Sequence, residues 1–335
     1  MERFAAPPAE QAPSYKPIPA TTSQLTFRDR LVHWRARFGM GRMHFRVAPG
    51  LHRLGAPDGT SPVFVSANYR LSFDALRTSL SGMDAWILVL DTKGVNVWCA
   101  ASKGTFGTDE LVRCIAETGL ADRLQHRRII VPQLGAPGVA GRQVRERTGF
   151  SVVWGPVEGR DIPAFLQAGL KATPAMRSKH FPLVERIKVT PIELEQAVLP
   201  LALVLALIAA TMLVGGSPVT GSAFLRKAGP VVAAVLAGAF MTPILLPWIP
   251  FRALAAKGAL VGVFCSAFTC LALGLKWPAS LGWILLPTAL ASFLAMNFTG
   301  ATTFSNPSGV RKELRYAIPA QIATAVAGLV LVFLL

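Results

Sequence analysis

Acidic residues are scarce in this 335-residue chain: 18 Asp and Glu stand against 34 Lys and Arg, a formal net charge of +16. Cysteine and histidine are scarcer still, at four and five residues. No two cysteines form a CxxC pair and none falls at metal-ligand spacing with a histidine, which excludes an iron–sulfur cluster or a structural zinc built from this chain alone. Signature loops are missing too. No GxSxG, HExxH, GxGxxG or GxxxxGK(S/T) occurs, and "AASKGT" lacks the upstream glycine of a phosphate loop, so hydrolases and nucleotide-driven motors lose their support. Residues 1–27 contain no continuous apolar core; they read as a Pro/Ala-rich, disordered lead-in and not as a secretory signal, and the soluble part is expected to stay in the cytoplasm.

What is abundant is apolar surface. Hydrophobic residues make up 52% of the chain and the mean hydropathy is +0.45, too apolar for an ordinary soluble protein. Five apolar segments, at about 197–214, 228–250, 258–275, 281–297 and 316–335, each approach the length needed to cross the hydrocarbon. An all-α transmembrane domain of five helices is therefore expected over 197–335, joined to the preceding sequence by a charged connector at 176–196. Pro243, Pro247 and Pro250 are expected to kink or end the second span, and freed backbone groups there imply a packed bundle. Basic residues close to the spans set the orientation. With the N-terminal domain in the cytoplasm, Lys179, Arg186, Lys188, Arg252, Lys257, Arg311, Lys312 and Arg315 lie inside and only Arg226, Lys227 and Lys276 outside. This predicts a multi-pass protein of the cytoplasmic (inner) membrane with its C-terminus outside. Membrane lipid, and no nucleic acid, is the expected partner of the basic excess.

Residues 28–59 form a basic lead-in. Seven arginines between Arg28 and Arg53 interleave with Trp34, Phe38, Met40, Met43 and Phe45, a pattern open to an amphipathic helix on a membrane, a basic arm, or a helix packed on the next domain. From 60 to 175 apolar strand candidates ("PVFVSANY", "AWILVLD", "GVNVWCA", "RRIIVPQL", "FSVVWGPV") alternate with stretches of helical composition. Such alternation predicts a Rossmann-like α/β domain with a largely parallel sheet covered on both faces. Ligands of these folds bind beyond the carboxyl ends of the strands, so the loops after "NVWCA" and "VPQL" are the places for a site.

Cys99 falls at the first of these places, at the end of a predicted strand, with Lys103 close by and Thr108, Asp109 and Glu110 supplying the cap and acidic first turn of the next helix. Those surroundings favour a thiolate, the form needed for metal ligation or nucleophilic attack. Cys114 falls inside a predicted helix and reads as packing, and Cys265 and Cys270, both in the third apolar segment, read as small bundle residues.

The run "PVFVSANYRLSFDALRTSLSGMDAWILVLDTKGVNVWCAASKGTFGTDELVRCI", with "HRRIIVPQLGAPGV" and "GFSVVWGPVEGRDIPAFLQAG", resembles the corrinoid-binding domain of the mercury-methylating corrinoid proteins, the HgcA family. "MNFTGATTFSNPSGVRKE" resembles that family's loop between the last two spans, so about residues 30–320 are covered. The family motif is Asn-(Val/Ile)-Trp-Cys-Ala-(Ala/Ser)-Gly-Lys; here it is Asn96, Val97, Trp98, Cys99, Ala100, Ala101, Ser102 and Lys103, with Ser102 in place of the glycine. If that glycine serves a positive φ or a close approach of the ligand, Ser102 disturbs it and puts mercury methylation in question. The corrinoid iron–sulfur protein of acetyl-CoA synthesis has a related domain, but its large subunit carries a cysteine-rich cluster module and no five-span tail.

The resemblance implies a cobalt corrinoid (a cobalamin) above the sheet, with the Cys99 sulfur as axial ligand of the cobalt. It further implies a corrinoid-dependent methyltransferase that passes the methyl group to Hg(II) as a carbanion equivalent, because a strongly donating thiolate stabilises the Co(III) left behind. Asn96 to Lys103, Gly104 and Thr105 would line the cofactor, and the turn bearing Gln133, Gly135 and Gly138 would cradle its tail. Return to Co(I) requires an outside electron donor, in that family a 4Fe–4S ferredoxin, and the methyl group comes from a donor protein of a folate C1 pathway. Two other readings stay open: a corrinoid protein of anaerobic C1 metabolism with a different methyl acceptor, and a non-enzymatic membrane protein that only binds a ligand.

Overall fold

A computed structural model describes residues 18–216, 220–300 and 307–334. The expected disorder of residues 1–17 and the middle (301–306) of the loop resembling the family between the last two spans lie outside the described residues. Two compact units form: one of residues up to Trp34 with Gly41–Lys179, the other of Arg35–Met40 with His180–Leu335.

The first unit is built on six strands: β1 (Ala20–Thr21), β2 (Gly50–Leu54), β3 (Val63–Ala67), β4 (Ala85–Leu90), β5 (Arg128–Pro132) and β6 (Ser151–Gly155). Their order in the sheet is β1-β2-β4-β3-β5-β6, parallel throughout except that β2 runs antiparallel to β4. The helices are α1 (Phe27–Arg37), α2 (Arg70–Ser79), α3 (Val97–Lys103), α4 (Thr108–Glu117), α5 (Leu120–Arg123), α6 (Gly141–Thr148) and α7 (Ile162–Gln167). Side chains of β4 alternate between two cores. Trp86, Leu88 and Leu90 pack with Ala100, Phe106, Leu111 and Val144 on one face; Ala85, Ile87 and Val89 pack with Phe73, Leu80, Ile162 and Phe165 on the other. Both faces are covered, which is why the strands read as unbroken apolar runs.

Three expectations are corrected here. "GVNVWCA" is no strand: its second half is the start of α3, because Asn96 caps a helix there and Gly104, at φ 79°, ends it. Part of the segment expected to be disordered is structured, since Ala20–Thr21 pairs with Arg53–Leu54. The basic lead-in is not separate from the α/β fold, because Gly50–Leu54 pairs along the whole of β4.

Ion pairs explain that order. Arg77, 3% exposed, donates to the carbonyls of Thr22 and Gln24 and to Asp29, while Asp74 accepts from His33, Arg70 and Arg77. Two buried carboxylates thereby fasten α1 to α2. Leaving either guanidinium without its partners would cost more than the pairing gains, so the arrangement is specific.

The second unit consists of α8 (Leu183–Val214), α9 (Gly221–Leu236), a π segment (Ala237–Met241), α10 (Thr242–Leu245), α11 (Leu254–Ala272), α12 (Gly282–Met296) and α13 (Pro307–Leu334). Five stretches are long and apolar enough to span a membrane: Leu183–Val214, Gly221–Leu245, Leu254–Ala272, Ala279–Met296 and Gly309–Leu334. The chain thus has the composition and helices of a membrane protein. Helix α8 starts inside the expected connector of 176–196, because its charged first turns continue without a break into the apolar run. The π segment precedes Pro243, whose missing N–H disturbs the ladder; Thr242 Oγ1 donates to the Ala237 carbonyl at 2.7 Å. Beyond the helix end, Lys257 Nζ donates to the carbonyls of Leu246 and Ile249. Gly258 and Gly262 let α11 touch α12: a Cβ at Gly258 would stand 2.4 Å from Ala295 Cβ, and one at Gly262 2.8 Å from Ala291 Cβ.

Candidate functional site

The chain leaves β3 and β5 towards opposite faces of the sheet, α2 lying with one core and α6 with the other. This divergence at the carboxyl ends makes a crevice, the general ligand position of open parallel sheets. Asn68 sits there, 2% exposed, one residue beyond β3. Its Oδ1 accepts from the backbone N–H groups of Thr92 (3.1 Å) and Gly94 (2.9 Å) and from the Thr92 hydroxyl (2.9 Å), and its Nδ2 donates to Asp91 at 2.9 Å. Burial would raise the Asp91 carboxyl, but hydrogen bonds from Lys93 and Asn68 hold it below its ordinary value. One buried amide thus fixes the turn that launches α3. Sequence reading passed over Asn68; the signal is a lone amide at the end of an apolar strand, where a plain core would place an aliphatic residue.

Helix α3 carries the motif. Asn96 Oδ1 accepts the Cys99 backbone N–H at 2.9 Å, an N-cap that puts Cys99 in the first turn. Val97 packs against the core, Ala100 and Ala101 are buried, and Trp98 stays 37% exposed. Cys99 is half-buried. Lys103 follows it by one helical turn and is exposed.

Ser102 sits in the last full turn of α3, exposed, its hydroxyl donating to the Trp98 carbonyl at 3.2 Å. Its backbone is not among those with positive φ; the residue that needs that freedom is Gly104. The expectation of strain at Ser102 is therefore corrected: a helical position admits serine without penalty from φ. Thr108 is likewise the first residue of α4 and not its cap, a place taken by Gly107, and the Thr108 hydroxyl accepts from the Ala140 N–H at 2.8 Å.

The Gln133–Gly138 turn packs directly against this helix and the loop after it. A Cβ at Gly138 would fall 2.2 Å from the Phe106 carbonyl oxygen and 3.0 Å from Ala101 Cα, and one at Gly135 would fall 2.5 Å from the Phe106 ring. Thr105 and Phe106 return their N–H groups to the Ala100 carbonyl at 3.0 and 3.1 Å. The two glycines therefore let the turn approach Phe106 and Ala101 closely. Gln133 differs: its Oε1 is buried and has no hydrogen-bond partner among the described residues.

The remaining cysteines stand on other helices. Cys114 is buried, its Sγ donating to the Val89 carbonyl at 3.5 Å, and burial pushes its thiol up to about 12. Cys265 and Cys270 lie in α11. Among the described residues no three His, Cys, Asp or Glu side chains gather into a metal site.

Comparison with known proteins finds similarity within this unit. Residues 32–166 match the CO dehydrogenase/acetyl-CoA synthase delta subunit family. The acetyl-CoA decarbonylase/synthase complex subunit gamma of Methanopyrus kandleri is 33% identical over 123 residues, 36% of this chain and 26% of its own length. The corresponding subunit of Methanocaldococcus jannaschii is 32% identical over 123 residues, 36% of this chain and 25% of its own. The corrinoid/iron–sulfur protein large subunit of Moorella thermoacetica is 29% identical over 143 residues, 42% of this chain and 32% of its own. The chain thus matches about a quarter to a third of the length of these relatives. The family match ends before α8, so the five apolar helices stand outside it.

Proposed function

We propose that this chain is a membrane-bound, corrinoid-dependent methyltransferase in which the Cys99 thiol would hold the cobalt of the corrinoid and Hg(II) is the methyl acceptor. The observation that carries the reading is the placement of Cys99: a half-buried thiol in the first turn of α3, at the carboxyl ends of a sheet homologous to corrinoid/iron–sulfur subunits. The donor set fits a corrinoid. A thiol that, among the described residues, belongs to no group of three or more ligating side chains suits a metal that brings its other donors in a macrocycle, and Gln133 Oε1 offers a buried acceptor beside the helix. A bound corrinoid supplies a cobalt that accepts and gives up a methyl group.

Residues of this chain do the rest. Asn96 fixes the first turn of α3 and with it the direction of Cys99, and Asn68 fixes the turn before it. Trp98, Lys103 and Thr105 border Cys99 along the helix and the loop that follows. A thiolate at Cys99 would be a soft, strongly donating ligand, the kind that suits methyl transfer to an electrophile such as Hg(II). A 4Fe–4S ferredoxin is the electron donor in this reading and a folate-linked protein the methyl donor. In this reading the first unit faces the cytoplasm and the C-terminus lies outside, an orientation supported by the excess of basic residues near the spans on that side.

A second reading is favoured by the relatives, two named as acetyl-CoA decarbonylase/synthase subunits and one as a corrinoid/iron–sulfur protein: a corrinoid protein of C1 metabolism with another acceptor. The discriminating experiment is methylmercury formation by cells expressing the chain with a ferredoxin, natural and Cys99→Ala. Methylmercury from the natural chain and none from Cys99→Ala supports mercury as acceptor; no methylmercury from a natural chain that contains cobalt supports the second reading. Absence of cobalt from the anaerobically purified protein would leave a non-enzymatic ligand-binding protein.

A further inference from the structure

Helices α11, α12 and α13 enclose a cavity of about 800 Å³. Its wall on α13 is a single face, from Gly309 through Lys312, Tyr316 and Ala320 to Thr324. The fifteen helical rises from Gly309 to Thr324 make this slot about 22 Å long. The facing wall is made of small side chains, Ala256 and Ala259 of α11 and Ala289 of α12.

The two ends differ in chemistry. At one end stand Arg252 and Lys312, neither in an ion pair with a described residue. The nearby Glu313 is already engaged, its Oε1 accepting the Ala255 N–H in the first turn of α11. Deeper in the slot the Ser292 hydroxyl donates to the Ala255 carbonyl at 2.8 Å and accepts from Gln321 Nε2 at 2.9 Å, so both of those groups are satisfied. Thr288, one turn further along α12, is not. It is 6% exposed, lines the cavity, and its Oγ1 has no partner among the described residues. Other threonines of these helices return their hydroxyls to their own backbone: Thr211 to Ile208, Thr269 to Cys265, Thr324 to Ala320. Thr288 keeps its donor for something in the slot.

We infer that the slot binds one anionic phospholipid, its phosphate held by Arg252 and Lys312, an ester carbonyl accepting from Thr288, and an acyl chain lying along the alanine faces. Two cations, an unused donor and a long apolar trough are the three groups such a molecule presents partners for. Basic recesses between membrane helices bind anionic headgroups by the same charge complementarity. The inference is independent of the corrinoid chemistry, because no residue of the first unit takes part.

Native mass spectrometry of the full chain in detergent tests it, with phosphatidylglycerol and phosphatidylcholine offered in equal amounts. The natural chain is expected to retain one phosphatidylglycerol, preferred over phosphatidylcholine by about tenfold given the attraction of two cations. Arg252→Gln with Lys312→Gln should bring the two lipids to parity, Ala259→Leu should expel both, and Thr288→Val should weaken retention without changing headgroup preference. Helical circular dichroism checks folding; should the double variant not fold, Ala259→Leu and Thr288→Val keep both charges and carry the test. Millimolar inorganic phosphate should fail to displace the lipid. Equal retention of the two lipids by the natural chain, undiminished retention in Ala259→Leu, or displacement by phosphate or by a free fatty acid alone would overturn the inference.

Discussion

The side-chain oxygen of Asn96 accepts the backbone N–H of Cys99 at 2.9 Å. The residue three places before the thiol is therefore what starts its helix, and the direction in which Cys99 leaves the backbone depends on that cap. Loss of a capping side chain costs about 1 kcal/mol. Asn96→Ala is expected to loosen α3 and lower methyl transfer by about tenfold, while Asn96→Asp, which keeps the acceptor, stays close to the natural rate. Single-turnover methyl transfer with cobalt content measured in parallel separates misdirection of Cys99 from loss of cofactor.

Cys99 and Cys114 differ in reactivity for structural reasons. Cys114 is buried with its thiol pushed up to about 12, mainly by desolvation, whereas Cys99 is half-buried in a first helical turn. Iodoacetamide at pH 8 should label Cys99 at least about a hundredfold faster than Cys114 in the folded chain, since the thiolate is the nucleophile. Peptide mapping of the alkylated protein reads the ratio, and equal labelling would contradict the burial of Cys114.

Ser102 has an exposed side chain on a helical backbone. Ser102→Gly should accordingly leave activity within about twofold and lower stability by about 0.5–1 kcal/mol, the ordinary cost of glycine inside a helix. A large gain of activity in Ser102→Gly would mean that the serine obstructs the ligand.

Acid should loosen the first unit through Asp29. Burial raises its carboxyl, but hydrogen bonds from Thr26 and the guanidiniums of Arg77 and Arg70 outweigh that and hold it at about 2, against an ordinary 3.8. A depressed carboxyl stabilises fully above its unfolded value, and the contribution disappears as pH falls from about 4 towards 2. Thermal melts of the full chain between pH 6 and 3 should show a falling Tm, and Asp29→Asn should be less stable at pH 6 with a shallower acid dependence.

Much of the architecture was legible as pattern. The apolar runs at 63–67, 85–90, 128–132 and 151–155 are strands because both faces of the sheet are covered. The stretch "GVNVWCA" misled because alternating β-branched and aromatic residues imitate a strand; Asn96 followed eight residues later by Gly104 was the stronger signal, a cap and a stop. Strands β1 and β2 were missed because their partners are distant: Gly50–Leu54 becomes a strand only by pairing with β4. Hydropathy located the apolar centres of the five long helices and not their starts, since α8 and α13 begin in polar sequence that hydropathy discounts. Asn68 and Thr288 matter through what surrounds them, which no local window of sequence contains.

The most direct test of the account is cobalt K-edge absorption fine structure on the anaerobically purified, corrinoid-loaded full chain, natural and Cys99→Ala. The account predicts a sulfur scatterer in the cobalt coordination shell of the natural protein, replaced by a light-atom scatterer in Cys99→Ala. An identical cobalt environment in the two proteins would contradict it.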